Sequence, residues 1–363
     1  MKKILLTLLG VLFMLQTPSM AQKANSKVTD LPNISVIGNL VGVHSESKKS
    51  FDVNEIEFAF QHYLYPTVKA DVFAALHKED GKHNFELEES YVTFLDVFGL
   101  VAPNMPFNPG IKSIVGKKLV GIGKTNALHP EQWVFVDRPI AIKQFFGTDH
   151  GLSGEGAQLD YLLPLPFFSQ IEVGYWKVAA HEEAHEGEGE GHSEAHGVEY
   201  TDNVINTRLW NSYSLSDTKE VELGLNYLSS NTNSTIAVNR QDVLGVDISY
   251  LQEMNNSNWL KLQAEYYQAN YAEENGTERE LQTGGYLSSY FKFSKNYQTG
   301  IRYGLLGKHG DHGESVDQIS LILVRQLTET SKFRVQYNAS EKAENTVLAQ
   351  FIFGMGPHSH VLN

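Results

Sequence analysis

Period-two alternation of apolar and polar residues recurs along nearly the whole chain, in segments too long for an ordinary soluble sheet. Between Asn54 and Leu64, apolar Ile56, Phe58 and Phe60 alternate with Glu55, Glu57, Ala59 and Gln61. Between Val68 and Leu76, apolar Val68, Ala70, Val72 and Ala74 alternate with Lys69, Asp71, Phe73 and Ala75. One such segment decides little, because a soluble sandwich alternates too. Number and length decide more. About sixteen segments, from 33–43 to 343–355, run mostly ~10 to 14 residues, against ~5 to 6 in soluble sheets. That length suits a strand crossing a bilayer at a tilt. The reading is all-β: a transmembrane antiparallel β-barrel of about sixteen strands.

The connections carry the same argument. Tyr65-Pro66, Pro164-Leu165-Pro166, Ser216-Asp217, Asn255-Asn256, Lys295-Asn296 and Thr328-Glu329 follow even-numbered segments and read as tight turns. Links after odd-numbered segments are mostly longer and more polar, as in 123–153, 180–201 and 307–313. Short periplasmic turns and long extracellular loops are the outer-membrane pattern. Phe98 to Gly110 is too long for it and the link near Ser340 too short. Aromatics at expected strand ends, among them Tyr63, Tyr65, Tyr175, Trp176, Trp210, Tyr290 and Tyr297, predict girdles at the two interfaces.

Export is read from the start of the chain. Lys2 and Lys3 precede an apolar run from Ile4 to Leu15 and then Ser19-Met20-Ala21, so residues 1–21 read as a signal peptide and 22–363 as the barrel. That run is shorter than the ~20 residues a helical anchor needs. There are no cysteines, hence no disulfide framework and no lipidated cysteine. The net charge of −14 makes nucleic acid an improbable partner. Strand signals from Asn33 onward leave no space for a plug domain of about a hundred residues, so energy coupling is not expected.

With the apolar faces turned to outer-membrane lipid, Glu55, Glu57, Asp71, Glu220, Glu222, Asp247 and Glu265 project inward with Lys69, Lys261, Arg302 and Arg334. Two interiors remain open on this reading: a water-filled channel with a mild cation preference, or a closed interior of paired charges. The 123–153 connection is too apolar for a free loop. Trp133-Val134-Phe135-Val136 calls for burial, while Glu131, Asp137 and Arg138 call for water or partners. The segment is expected to fold into or against the barrel mouth, as a constriction or as a lid.

A resemblance rests on Val115-Gly116-Lys117-Lys118, Gly121-Ile122-Gly123-Lys124, Leu128-His129-Pro130, Phe135-Val136-Asp137-Arg138-Pro139 and Gly151-Leu152-Ser153-Gly154-Glu155-Gly156, with Glu88-Glu89-Ser90-Tyr91-Val92-Thr93-Phe94 upstream. This stretch resembles a little-characterised family of porin-like outer-membrane proteins, some labelled zinc-regulated outer-membrane receptors. The resemblance spans roughly residues 85 to 165; it implies a barrel in the outer membrane and points to zinc-linked biology. Many outer-membrane barrels end on an aromatic residue, whereas this sequence ends Val361-Leu362-Asn363; Phe351 and Phe353 are expected to serve from an internal position.

The sharpest chemical signal is the 180–201 loop, with His181, Glu182, His185, Glu186, His192, Glu194 and His196. Its two H-x-x-x-H pairs could each grip one metal from a helical turn, and imidazole with carboxylate suits Zn²⁺. His309, Asp311 and His312 form a second cluster on the same expected side. Against this stands a simply solvated, His- and Glu-rich spacer. The other histidines, including His77 and His129, read as rim or lumen residues. No G-x-S-x-G elbow is present, and His129 with Asp137 is the one acid-histidine pair considered for an enzyme, so no catalytic residue and no required cofactor are expected. The expected function is a porin-like channel for small solutes, with divalent cations such as zinc collected by the outer loops; the alternative is a metal-binding surface protein with a closed barrel.

Overall fold

The computed structural model describes residues 31–79, 82–104, 108–147, 151–178, 200–231, 240–255, 257–272, 279–307 and 315–357. The expected signal peptide, residues 1–21, lies outside them.

The strands are β1 (Asn33–His44), β2 (Lys49–Tyr65), β3 (Val68–Glu79), β4 (Lys82–Phe94), β5 (Ile111–Leu119), β6 (Ser153–Leu162), β7 (Phe168–Val178) and β8 (Thr201–Ser216). They continue as β9 (Lys219–Asn231), β10 (Arg240–Asn255), β11 (Asn258–Ala272), β12 (Arg279–Ser294), β13 (Tyr297–Leu306), β14 (Val316–Thr328), β15 (Ser331–Ala339) and β16 (Thr346–Met355). Each pairs with its sequence neighbours, and β1 pairs antiparallel with β16, giving a closed barrel of sixteen strands. Closure leaves no sheet edge with unpaired backbone groups, which is the condition for spanning hydrocarbon with strands.

Alternation sets the two faces. On β14, Ile319, Leu321 and Leu323 are 45 to 52% exposed, while Ser320, Ile322 and Val324 between them are at most 3% exposed. Ile301, Tyr303 and Leu305 on β13 and Phe333, Val335 and Tyr337 on β15 extend the same outward apolar surface. At ~25 cal/mol per Å² that surface is unfavourable in water and favourable against lipid tails. No helix among the described residues is long and apolar enough to cross a membrane. The crossing is by strands.

The girdle expectation holds only in part. Tyr65, Tyr175 and Tyr297 face outward, but Tyr63 has the inward parity of β2 opposite Lys69, Trp210 lies inside beneath Lys124 and Arg208, and Trp176 and Tyr290 are buried inside. Trp176 has the inward parity of β7 and donates from Nε1 to Asn206 Oδ1 at 2.8 Å; Tyr290 packs on Phe135 with ring centroids 5.5 Å apart. Both links that broke the turn rule fit the barrel. The one after β4 carries a short helix, α1 (Val97–Val101), capped by Asp96, and the one at Ser340 is a compact loop before β16. At the closing seam Phe353 lies over Gly38, where a side chain would collide with the ring.

Candidate functional site: a loop inside the barrel

The segment between β5 and β6 bonds to opposite sides of the ring, which it can do only through the interior. Thr125 Oγ1 lies 2.8 Å from Tyr286 Oη on β12, while His129 Nε2 lies 2.9 Å from Glu89 Oε2 on β4. In the closed ring, β4 and β12 stand diametrically apart.

Glycines with left-handed backbone start and end the crossing. Gly123 (φ 62°) passes against Tyr267 and Glu265, and Gly151 (φ 72°) against the Arg138 guanidinium, so that neither position has space for a side chain. Asn126 ties the two ends: its Nδ2 donates to the carbonyls of Val120 (2.9 Å) and Leu152 (3.1 Å), and its Oδ1 accepts from Leu152 N at 3.0 Å.

Two apolar clusters hold the segment down. Phe135 and Val136 pack with Tyr290, Ile322, Val324 and Leu348. The helix α2 (Ile140–Phe146) buries Ala141, Ile142, Phe145 and Phe146 against Trp176, Tyr267 and Tyr286. Each large side chain so buried contributes roughly 1.5–3 kcal/mol. Gly284 and Gly304 make the seat, since a side chain at the first would press on Ala141 and Phe145 and at the second on Ile140.

Polar groups divide by wall. On the β13 to β15 side, Arg302 Nη2 meets Asp137 Oδ1 at 2.5 Å, Lys332 Nζ donates to the Glu131 carbonyl at 2.6 Å, and Arg334 donates to the carbonyls of Trp133, Val134 and Pro130. These three cations are at most 2% exposed. Their partner is the loop. Burial would raise the Asp137 carboxyl, but Arg302 and Lys143 outweigh it and hold it below its ordinary 3.8.

Beyond β16 and β1, the wall at β2 to β4 is acidic. Glu55, Glu57 and Asp71 face inward and are buried, Asp71 pairing with Lys69 at 2.7 Å and accepting from Gln61 at 2.6 Å. A bulge in β4 opposite Phe73 and Ala74 leaves Glu88 as the extra residue, so Glu88 and Glu89 both turn inward. His129 enters this wall with Nδ1 2.9 Å from Glu57 and Nε2 2.9 Å from Glu89. Burial alone would lower the imidazole, but the two carboxylates outweigh it and hold it well above its usual 6.5. Burial, reinforced by the charge of Glu57, pushes Glu131 up to about 7. Across the lumen, Lys124 reaches Glu222 at 2.5 Å, and Glu265 accepts from Thr125 and Tyr286.

Of the residues singled out from sequence, Glu57 and Glu131 come together and Glu55 joins a neighbouring group with His77 and Glu88, whereas Asp137 is drawn to Arg302 and Arg138 turns back into its own loop, stacking on Trp133 at 5.0 Å. His129 and Asp137 bond to different walls, which gives the enzyme pairing no geometry. Sequence reading missed His77, Glu88, Glu89 and Lys332 as site residues. The inward parity of Glu55 and Glu57 carried part of the signal, but the turn after β2 did not, because the pairing shifts by one residue between Tyr63 and Tyr65 and only that shift sets Glu55 opposite His77. The metal candidates His181, Glu182, His185, Glu186, His192, Glu194 and His196, with His309, Asp311 and His312, lie outside the described residues.

No protein-family model matches the chain. It is 26% identical over 354 residues to an uncharacterised protein of Aquifex aeolicus (strain VF5), covering 86% of this chain and 70% of that one. In structure it is similar to the outer-membrane channel DcaP of Acinetobacter baumannii (12% identity, TM-score 0.56, 89% of this chain and 96% of that one). It is equally similar to the anion-selective porin of Comamonas acidovorans (12%, 0.56, 89% and 99%) and to Salmonella typhi OmpF in complex with daunomycin (9%, 0.56, 89% and 97%). The fold is therefore that of the porin-like barrels of the outer membrane.

Proposed function

We propose that the chain is an outer-membrane channel for small solutes, with the segment between β5 and β6 setting its constriction. The observation that carries this reading is a loop crossing the interior of a sixteen-strand barrel and bonded to opposite walls. Barrels of this strand number generally enclose an aqueous path. The acidic wall at β2 to β4 and the cationic wall at β13 to β15, separated by β1 and β16, flank the loop, so a solute passing beside it meets a field running from one to the other.

The resemblance to zinc-labelled proteins has no counterpart in the solved structures named above. Collection of divalent metal by the 180–201 and 307–313 loops rests on their composition alone. Single-channel recording of the refolded protein tests the channel reading. Steady openings are expected, and deletion of residues 126–145 should raise their conductance while the barrel still assembles. Inserted protein that stays silent in both forms would replace the channel with a closed barrel.

A further inference from the structure

Two groups of metal-capable side chains meet on the acidic wall. Ligand atoms of Glu57, His129 and Glu131 lie within 4.8 Å of one another, and so do those of Glu55, His77 and Glu88. Glu88 joins them, with one oxygen 3.2 Å from His77 Nε2 and the other 3.9 Å from His129 Nδ1. Neither group is contiguous in sequence: β2, β3, β4 and the interior loop each contribute.

Three features separate the first group from an ordinary ion-pair cluster. One is charge. Five buried or half-buried carboxylates, Glu55, Glu57, Glu88, Glu89 and Glu131, crowd two imidazoles, with Lys118, Lys332 and Arg334 at the edge of the group, so that like charges are packed together away from water. The second is an orphan atom: Glu57 is 0% exposed and its Oε1 accepts no hydrogen bond among the described residues. A buried carboxylate oxygen without a donor is costly, and a divalent cation is one of the few partners that satisfies it.

The third is orientation. Glu89 holds His129 Nε2, and Phe73 packs on the ring at 5.2 Å, so Nδ1 is presented to Glu57. A carboxylate on the far nitrogen is the usual support of a metal-bound histidine. Shifts of under ~1 Å, with His129 Nδ1 and Glu57 parting slightly from their 2.9 Å contact, bring the three donors to the ~2.0–2.2 Å of zinc coordination, and one imidazole with two carboxylates leaves a position open for water. A cavity of about 30 Å³ lined by Glu86, Glu88, Pro130 and Arg138 reaches one of the three donors, His129.

We propose that Glu57, His129 and Glu131 form a divalent transition-metal site inside the barrel, clamping the loop to the acidic wall, with Glu89 as its orienting residue. The clamp deepens the channel reading by acting on its constriction. Binding is measured without current, so the two readings fail separately.

The test uses full-length refolded protein in which His181, His185, His192, His196, His309 and His312 are replaced by Ala, which removes competition from the outer loops. Zn²⁺ should survive gel filtration stoichiometrically, and Co²⁺ should give a visible absorption band that Zn²⁺ bleaches. Glu89→Gln should weaken Zn²⁺ by ~10–100-fold. Glu57→Gln and His129→Gln should each weaken it at least as much, with barrel assembly followed by heat-dependent gel mobility. Because His129→Gln also disturbs the loop, Glu57→Gln and the cobalt band serve as the second line. Folded parent protein that retains neither metal overturns the proposal, and so does unchanged affinity in an assembled Glu57→Gln variant.

Discussion

At Asp137 a single carboxylate gathers three side chains from two strands. Arg302 of β13 meets its Oδ1 at 2.5 Å, Gln336 and Asn338 of β15 donate at 2.6 and 2.9 Å, and Arg302 also takes the backbone carbonyl at 2.8 Å. Asp137→Asn keeps the shape but leaves the Arg302 charge buried without its counter-ion, a loss of about 3–5 kcal/mol when such a pair is broken. The expected result is faster hydrogen exchange across residues 126–145 with the barrel intact; unchanged exchange would show that the apolar clusters alone hold the loop. The sign of the pH effect follows from the depressed carboxyl. Its contribution is fully present above the ordinary 3.8 and is lost only as pH falls through the lower folded value. The wild-type loop should therefore stay ordered through mild acid. Sequence reading could single out Asp137, a charge beside an apolar run, and could turn Arg302 inward by parity. It could not join them across 165 positions, because only barrel closure sets that distance.

The interior loop shows how far an element can be read before its neighbours are known. An apolar stretch inside a long, otherwise polar connection is legible as something that must be buried. Its destination is fixed by strand features that carry no chemical label: the bulge at Glu88, which puts two adjacent acids on one face, and the glycines that make a trough for α2. Counted from the turn at Tyr65 and Val68, Glu55 would face Lys78; an extra residue at Leu64 moves its partner to His77, and one in β4 shifts the parity of everything after it. Gly284→Val tests the trough. Its side chain would press on Ala141 and Phe145, an overpacking of about 1–3 kcal/mol. Displacement of α2 should appear as higher or noisier single-channel conductance with heat-dependent mobility retained. Conductance identical to wild type would mean that α2 has no part in the constriction.

For the molecule as a whole, the outward surface decides where it resides. Strand number and the alternation of turns and loops were legible because hairpins pair sequence neighbours, so that no long-range guess is needed until β16 meets β1. The girdle was only partly legible: whether a terminal aromatic faces lipid or the lumen depends on its parity, which sent Trp176 and Tyr290 inside. Leu321 sits near the middle of β14 on the outer face. If that face meets hydrocarbon, Leu321→Arg must bury a charge in lipid, at a cost of about 2–4 kcal/mol near the bilayer midplane. The same substitution at Glu329, in the turn after β14, should cost almost nothing. Urea titration of protein refolded into lipid vesicles compares the two, with unheated samples migrating apart from heated ones while the barrel is closed. Leu321→Arg should unfold at clearly lower urea than Glu329→Arg. Equal stability of the two variants would remove the apolar belt from the membrane, and with it the argument that this barrel spans one.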